Sequence, residues 1–320
     1  MVRKISGFGV FFLLFRVRLF PALILLFCCM TAEVSSKPDA SFEAHSSEKE
    51  VWGREKTVEK TRGDFPEKEV LSDRTLTVPP SWLEYAVPVP EVPEEAPMIA
   101  IVIDDLGLNK TLTREVLSLP APITASFLSY AEDLPRQTAY AAQKGHELLL
   151  HTPMEPVNPQ RNSGPDTLKT TESDEEIREK LEVMFSAFDG YVGINNHMGS
   201  KFTADEKAIA VVIKEIAKRG LLFLDSMTCA KSVAWKEAKK HQVPYVVRDV
   251  FLDNSQEEAA IRRQLLLLER NARKNHIAVA IGHPHHTTVR ALKKWIPQAR
   301  RRGFVFVPVS MVALVGQESF

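Results

Sequence analysis

Short apolar runs alternate with longer amphipathic segments from residue 98 towards the end of the chain. The first is an unbroken, largely β-branched run that leads straight into Asp104 and Asp105. Such a run indicates a strand buried on both faces, as in a parallel α/β sheet. The pattern predicts strands at 98–104, 122–128, 146–151, 191–195, 221–225, 244–247, 277–281 and 304–308. It predicts helices at 110–118, 133–144, 173–187, 204–219, 230–241, 256–274 and 288–302.

Regular alternation of strands and helices predicts a parallel sheet with helices outside it. Eight predicted strands fit a (β/α) barrel, and we expect a distorted or incomplete barrel of about seven to eight parallel strands. An open doubly wound sheet is the alternative. No Gly-x-Gly-x-x-Gly motif follows the first strand, so the sequence gives little support to a dinucleotide-binding fold. Two helix starts are marked, by Asn109 as a cap and by Ser173 with Glu176 as a capping box.

The first 95 residues differ from the remainder in composition. Residues 1–35 run from basic residues through an apolar stretch to small residues, which is the order of a secretory signal peptide, with an uncleaved N-terminal anchor as the alternative. Residues 36–95 are rich in Ser, Glu, Lys and Pro, and we expect a disordered linker. The barrel is then predicted over 96–316. We therefore expect an exported protein, periplasmic or on the outer face of the inner membrane.

Charge and cysteine content exclude several classes of protein. The 41 Lys and Arg residues balance 41 Asp and Glu residues, and a nucleic-acid-binding protein would carry a basic excess. Of three cysteines, only Cys229 lies outside the N-terminal apolar segment. A disulfide framework and a thiolate zinc site are therefore not expected.

Polar and ionisable side chains follow the predicted strands at their carboxyl ends. In a parallel barrel these ends meet at one mouth, where catalytic groups lie. The candidates are Asp104, Asp105, His151, Glu155, Asn196, His197, Asp225, Arg248, Asp249, His283 and His285. Carboxylates and imidazoles together suit Zn²⁺ or a similar divalent ion. A catalytic site of this kind needs three protein ligands, an open position for water, and a neighbouring carboxylate as base.

Each candidate also has a structural interpretation. Asp104 and Asp225 can cap the helices that follow them, and His151 can be a hydrogen-bonded core histidine. Arg248 and Asp249 can form a structural ion pair. Because six strand ends carry such residues together, we favour a functional site over separate structural roles.

Several of these segments resemble motifs of the polysaccharide deacetylase superfamily. The resemblance begins with Ile-Val-Ile-Asp104-Asp105 and with Gly145-His-Glu-Leu-Leu-Leu-His151-Thr-Pro-Met-Glu155. It extends to Asn-Asn-His197-Met-Gly-Ser, Leu-Asp225-Ser, Arg248-Asp-Val-Phe-Leu-Asp and Ile-Gly-His283-Pro. Over about 98–312 the chain is similar to the divergent, YibQ-like branch of that superfamily. This resemblance implies a distorted (β/α) barrel and metal-dependent removal of N- or O-acetyl groups from polysaccharide.

The resemblance also implies roles for individual residues. Asp104 matches the catalytic base, Asp105 the metal-binding aspartate and His151 the first metal-binding histidine. His283 matches the general acid. The second metal-binding histidine of the superfamily falls at Glu155, a departure that leaves Glu155 and His197 as candidates for the third ligand. The remaining candidates would orient these groups or serve as alternative ligands: Asn196, Asp225, Arg248, Asp249 and His285.

Two functions of different class follow. The first is a hydrolase that uses a divalent metal, expected to be Zn²⁺, to deacetylate a cell-envelope polysaccharide, acting on C–N bonds. The alternative is a non-catalytic carbohydrate-binding or envelope-interaction protein on the same barrel. A metal-dependent amidase or esterase with a non-sugar substrate would share the site. The expected partner is a glycan, with no nucleic acid, and with a membrane tether where the N-terminal segment is retained.

Overall fold

A computed structural model describes residues 80–89, 92–93, 95–120 and 122–318. The predicted export segment 1–35 and residues 36–79 of the predicted linker lie outside this range. The strands are β1 Met98–Leu106, β2 Thr124–Leu128, β3 Glu147–Met154, β4 Gly193–Met198, β5 Leu222–Asp225, β6 Tyr245–Val247, β7 Val250–Phe251, β8 Ile277–Gly282 and β9 Val305–Phe306.

The helices are α1 Ser81–Glu84, α2 Lys110–Val116, α3 Leu134–Gln143, α4 Asp174–Phe185, α5 Glu206–Lys218, α6 Ala234–Lys240, α7 Glu258–Asn275, α8 His286–Arg301 and α9 Val309–Glu318. Both predicted caps are confirmed: Asn109 caps α2, and Ser173 and Glu176 form a capping box on α4. In the described part of the chain, no helix combines the length and apolar character needed to cross a membrane.

The strands form one parallel sheet with the order β6-β5-β4-β3-β2-β1-β8-β7, and β9 pairs with β1. From β1 to β6 each strand lies beside its neighbour in sequence, as in a barrel, whereas a doubly wound sheet reverses its order near the middle. The two edge strands are joined by residues 248–249. The Arg248 amide donates to the Asp225 carbonyl at 3.1 Å, and the Asp249 amide to the Val279 carbonyl at 2.9 Å. The predicted incomplete (β/α) barrel is therefore confirmed.

The sheet is buried on both faces because its side chains alternate between two cores. Along β1, Ile99, Ile101 and Ile103 pack with the surrounding helices. The intervening Ala100 and Val102 pack inside the barrel with apolar residues of β3, β5 and β8. This two-sided burial is the reason that the strands read as continuous apolar runs and not as alternating ones.

The inner core is closed at the amino ends of the strands by two segments that the sequence analysis did not predict. Trp82, in the short helix α1, is buried in the inner core, and its amide donates to the Gly220 carbonyl at 2.9 Å. Val309 and Ala313 of α9 belong to the same core. The prediction of disorder throughout 36–95 is therefore wrong near its C-terminal end. Residues 81–84 form a helix there, and this helix packs on the barrel because Trp82 is buried in the inner core.

Glu147, the first residue of β3, is buried at the same end of the barrel. Its Oε1 accepts hydrogen bonds from the Thr124 hydroxyl at 3.2 Å and the Ser310 amide at 3.1 Å. Among the described residues, Oε2 has no hydrogen-bond partner of ordinary geometry, although the backbone of Val87 interacts with the carboxyl group. Burial raises the pKa of the Glu147 carboxyl to about 7, against the lowering effect of these hydrogen bonds.

We expect Glu147 to make the folded state less stable as the pH rises. The pKa of Glu147 is about 7 in the folded chain and 4.5 in the unfolded chain, so the folded state binds more protons between these two values. The free energy of unfolding therefore falls as the pH rises through this window and stays low above it. The expected loss between pH 5 and 8 is about 2–3 kcal/mol. Urea unfolding of the parent and of Glu147→Gln at both pH values measures it, because contributions from other groups cancel in the difference. A difference between the two proteins that does not change with pH would contradict this role.

Candidate metal centre and cleft

Three residues at the mouth adopt left-handed backbone conformations that non-glycine residues rarely adopt. They are Asp105 at the end of β1 (φ 57°), Met198 at the end of β4 (φ 52°) and Met227 after β5 (φ 47°). Such conformations are costly and cluster at functional sites, where the surrounding structure maintains them.

The turn at Asp105 changes the direction of its carboxylate. Regular alternation along a strand predicts that Asp104 and Asp105 point to opposite faces. Instead, the pairing of β1 with β2 shifts register between Ile103 and Leu106. As a result both carboxylates approach the Nε2 atom of His151, Asp104 Oδ2 at 3.7 Å and Asp105 Oδ1 at 3.2 Å.

Asp105, His151 and His197 converge at the carboxyl ends of β1, β3 and β4. Asp105 Oδ1 lies 3.2 Å from His151 Nε2 and 2.8 Å from His197 Nδ1, and the two imidazole nitrogens are 3.2 Å apart. Three ligands of a tetrahedral zinc ion would lie about 3.3 Å from one another, given bonds of about 2.0–2.1 Å. The three atoms therefore have nearly the separation that a shared metal ion requires.

The hydrogen bonding and the ionisation of Asp105 are also those expected of a metal ligand. Its Oδ1 is buried, and among the described residues it has no hydrogen bond of acceptable angle despite the two nearby nitrogens. Burial alone would raise the pKa of this carboxyl, but His151 and His197 lower it far below the ordinary value, so it is ionised. Two imidazoles and a carboxylate, with one side open to a cleft, are a donor set that zinc and similar divalent ions accept.

Asn195 orients the candidate ligand His151 and connects it to Asp104. Its Oδ1 lies 2.9 Å from His151 Nδ1, which leaves Nε2 free to bind a metal when Nδ1 carries the proton. The Asn195 amide donates to Asp104 Oδ1 at 2.8 Å, and the Ser126 hydroxyl donates to Asn195 Oδ1 at 2.6 Å. Asn196 was among the predicted site residues, whereas Asn195 was not. The two-residue period of a strand could have found it, because Asn195 and His197 share a face.

Asp253 orients His283. One carboxylate oxygen lies 2.9 Å from His283 Nδ1, and the other accepts from the His283 amide at 2.7 Å and the Thr288 hydroxyl at 2.8 Å. Burial would lower the pKa of His283, but the hydrogen bond to Asp253 and the negative charges of Asp104 and Asp105 raise it to about 9. Asp253 was not among the predicted site residues, although it ends the Arg-Asp-Val-Phe-Leu-Asp segment.

Four further candidates lie at the mouth and fix its loops. Asn196 Oδ1 accepts from the Ser226 amide at 2.9 Å, and Arg248 donates to the carbonyls of Ser226 and Met227, both at 2.7 Å. Asp225 accepts from the Met227 amide and the Ser232 hydroxyl, and Asp249 Oδ2 accepts from the Val279 amide at 2.7 Å. These residues shape the strand ends around the cluster.

Glu155 lies apart from the cluster. Its carboxylate accepts from the Thr170 amide and hydroxyl, both at 2.9 Å, and from Lys201 Nζ at 2.8 Å. His285 lines the cleft near His283, and with Asp253 these two histidines form a second group that can hold a metal ion. Between the two candidates for a third ligand beside Asp105 and His151, the structure brings His197 into contact and not Glu155.

The cluster lies in a cleft of about 1010 Å³. Asp104, Asp105, His197 and His283 are among its lining residues, and the loop after β3 contributes others, including Arg161. A volume of this size lies at the upper end of ordinary ligand pockets.

These features define a class: an incomplete α/β barrel with an Asp-His-His cluster at the carboxyl ends of its strands. Comparison with known proteins specifies the family. Residues 101–313 match the family described as divergent polysaccharide deacetylase, and the chain therefore belongs to it. This confirms the resemblance found in the sequence.

Relatives and a solved structure agree with this assignment. The YibQ protein of Escherichia coli (strain K12) is 37% identical over 204 residues, which are 64% of this chain and 64% of that protein. A protein of Haemophilus influenzae (strain ATCC 51907 / DSM 11121 / KW20 / Rd) is 33% identical over 195 residues, 61% of this chain and 69% of that one. The crystal structure of ATU2773 from Agrobacterium tumefaciens C58 has 34% identity and a TM-score of 0.70, covering 73% of this chain and 95% of that chain.

Proposed function

We propose that this chain is a metal-dependent hydrolase that removes acetyl groups from a cell-envelope polysaccharide. The observation that carries the proposal is the convergence of Asp105 Oδ1, His151 Nε2 and His197 Nδ1 within 3.2 Å of one another at the mouth of the barrel. Asp104 and His283 lie beside this group, with His283 Nε2 4.0 Å from Asp105 Oδ2. Membership of the divergent polysaccharide deacetylase family supports a polysaccharide as the substrate.

The surrounding residues have the properties that acetyl hydrolysis needs. A divalent cation held by the three side chains would supply a Lewis acid and lower the pKa of water. Asp104 accepts the proton of the attacking water, since Asn195 holds its Oδ1 and its Oδ2 faces the cluster. His283, which Asp253 orients through Nδ1 and whose Nε2 lies 4.0 Å from Asp105 Oδ2, donates a proton to the amine or alkoxide that leaves as acetate forms.

We also propose that the barrel acts outside the cytoplasm. The support is the order of basic, apolar and small residues over 1–35, and the Pro-, Glu- and Ser-rich composition of the segment after it. A domain released by, or tethered through, such a segment would meet the glycans of the envelope directly.

Metal content of purified variants tests the proposed centre. We expect about one equivalent of zinc or another divalent metal in the full chain by mass spectrometry. His197→Ala removes one of three ligands, so we expect metal affinity to fall more than about tenfold, since loss of outer-shell partners alone costs 10–100-fold. Glu155→Ala is the matched control and should retain the metal, because Glu155 binds Thr170 and Lys201.

Two results would count against this scheme. A parent chain that binds no metal even after supplementation would refute the hydrolase mechanism and favour a non-catalytic carbohydrate-binding protein. Loss of metal in Glu155→Ala but not in His197→Ala would show that the ligands are wrongly assigned. Release of acetate from acetylated glycans by the metal-loaded parent then tests the reaction itself.

A further inference from the structure

A second cavity of about 520 Å³ lies next to the cleft that holds Asp105, His151 and His197, called the catalytic cleft below. The two cavities share Val157 and Ser200 in their walls, and the Val157 amide donates to the Ser200 hydroxyl at 3.0 Å. Val157 is 68% exposed, so its apolar side chain is accessible to a ligand. The second cavity falls within the usual range for ligand pockets. A chain-like ligand bound at the candidate metal centre can therefore continue over Val157 into this second cavity.

Two cations line these cavities without a counter-ion among the described residues. Arg161 is exposed on the wall of the catalytic cleft, and Lys231 is exposed on the wall of the second cavity. The other cations there have partners: Arg248 donates to two backbone carbonyls, and Lys201 pairs with Glu155. Arg161 and Lys231 are thus free to bind an anionic group on a ligand.

The loop that carries Arg161 is anchored at its base and in its middle, so its backbone holds Arg161 at the wall of the cleft. At the base of the loop Glu155 binds the amide and the hydroxyl of Thr170. In its middle Gly164 has a φ of 95°, and a Cβ atom there would lie 2.6 Å from the ring of Tyr130. Only glycine allows this close contact, which holds the loop against the barrel.

We infer that the polymer bound by this protein is an acidic glycan, whose carboxylates bind Arg161 in the catalytic cleft and Lys231 in the second cavity. The inference rests on the proposed function, because it extends the substrate outward from the centre at which acetyl groups are removed. Arginine pairs well with carboxylates through its two parallel N–H groups. The exposed apolar surface of Val157 between the two cations then contacts the C–H face of a sugar ring.

Binding of two tetrasaccharides tests this inference. The protein is the full chain with Asp104→Asn, which slows turnover by about 10²–10⁴-fold and so limits loss of the probe during the measurement. The acidic probe is a peptide-free tetrasaccharide of alternating N-acetylglucosamine and N-acetylmuramic acid. The neutral probe is N-acetylglucosamine tetramer, which lacks the 3-O-lactyl ether groups and with them the carboxylates. We expect calorimetry at low salt to show about tenfold tighter binding of the acidic probe, with the preference declining at high salt.

Variants assign the preference to the two cations. Arg161→Gln and Lys231→Gln should each reduce the preference several-fold, and the double variant should abolish it. Arg263→Gln and Lys293→Gln are matched controls, since both residues are exposed and line neither cavity. Equal binding of the two probes, binding of neither, or a preference that persists in the double variant would overturn the inference.

Acetate release distinguishes this inference from the proposed function. A parent protein that releases acetate but binds both probes equally retains the hydrolase function and loses the acidic subsite. A protein that releases no acetate yet prefers the acidic probe through Arg161 and Lys231 retains the subsite and loses the hydrolase function.

Discussion

Replacement of Asp104 by Asn is expected to lower the rate of acetyl hydrolysis by about 10²–10⁴-fold, the usual contribution of a positioned general base. Asparagine has the same shape, and its carbonyl can still accept the hydrogen bond that Asn195 now donates to Asp104 Oδ1. It cannot accept a proton from water. We therefore expect kcat to fall while KM changes little, and metal content to stay at the level of the parent.

The adjacent Asp105 provides the contrasting variant. Asp105→Asn should reduce metal content as well as rate, because Asp105 Oδ1 is one of the three converging ligand atoms. Kinetics and mass spectrometry on the same preparations separate the two roles. Full activity in Asp104→Asn, or loss of metal equal to that of Asp105→Asn, would show that Asp104 is not the base.

Replacement of Trp82 by Ala is expected to lower the free energy of unfolding by about 3–5 kcal/mol, the usual cost of removing a large buried aromatic side chain. Trp82 is only 4% exposed and packs in the inner core of the barrel, although the segment around it is rich in proline and glutamate. The surrounding strands are held by their own hydrogen bonds, so they cannot move inward to fill the space. The measurement is urea unfolding of the full chain.

Tyr85 is the matched control, because it lies in the same segment but is 39% exposed. Tyr85→Ala should cost less than about 1 kcal/mol, as surface substitutions do. Removal of residues 1–85 should destabilise the barrel at least as much as Trp82→Ala. If Trp82→Ala unfolds at the same urea concentration as the parent, then Trp82 does not contribute to the barrel core.

The local patterns of the chain were sufficient to predict most helices and strands. Residues near in sequence decide a helix cap, so the cap at Asn109 and the capping box at Ser173 could be predicted with their residues. The unbroken apolar runs reflect burial on both faces of the sheet, and their alternation with amphipathic segments predicts the barrel. The short strand β7 and the helix α9 were missed, because only their contacts with β8 and with the inner core stabilise them.

The position of the candidate site followed from sequence, since carboxyl ends of parallel strands share one mouth. The contacts among these side chains depend on backbone conformations that the alternation of apolar and polar residues does not predict. The left-handed turn at Asp105 brings a carboxylate to His151 that regular alternation would direct away. Glu155 stands at the motif position where the superfamily has its second metal-binding histidine. In the structure, however, Glu155 is hydrogen-bonded to Thr170 and Lys201, and His197 contacts Asp105 instead.

The sequence by itself thus determined the class of fold, the family and the end of the barrel at which the candidate site lies. Each of these depends on local periodicity or on short motifs, and both are visible in the sequence alone. Tertiary structure alone decided that Asn195 and Asp253 orient the two histidines, that Trp82 closes the inner core, and that a second cavity adjoins the cleft. These features join residues far apart in the chain, and their energies depend on distances and burial that exist only once the barrel has formed.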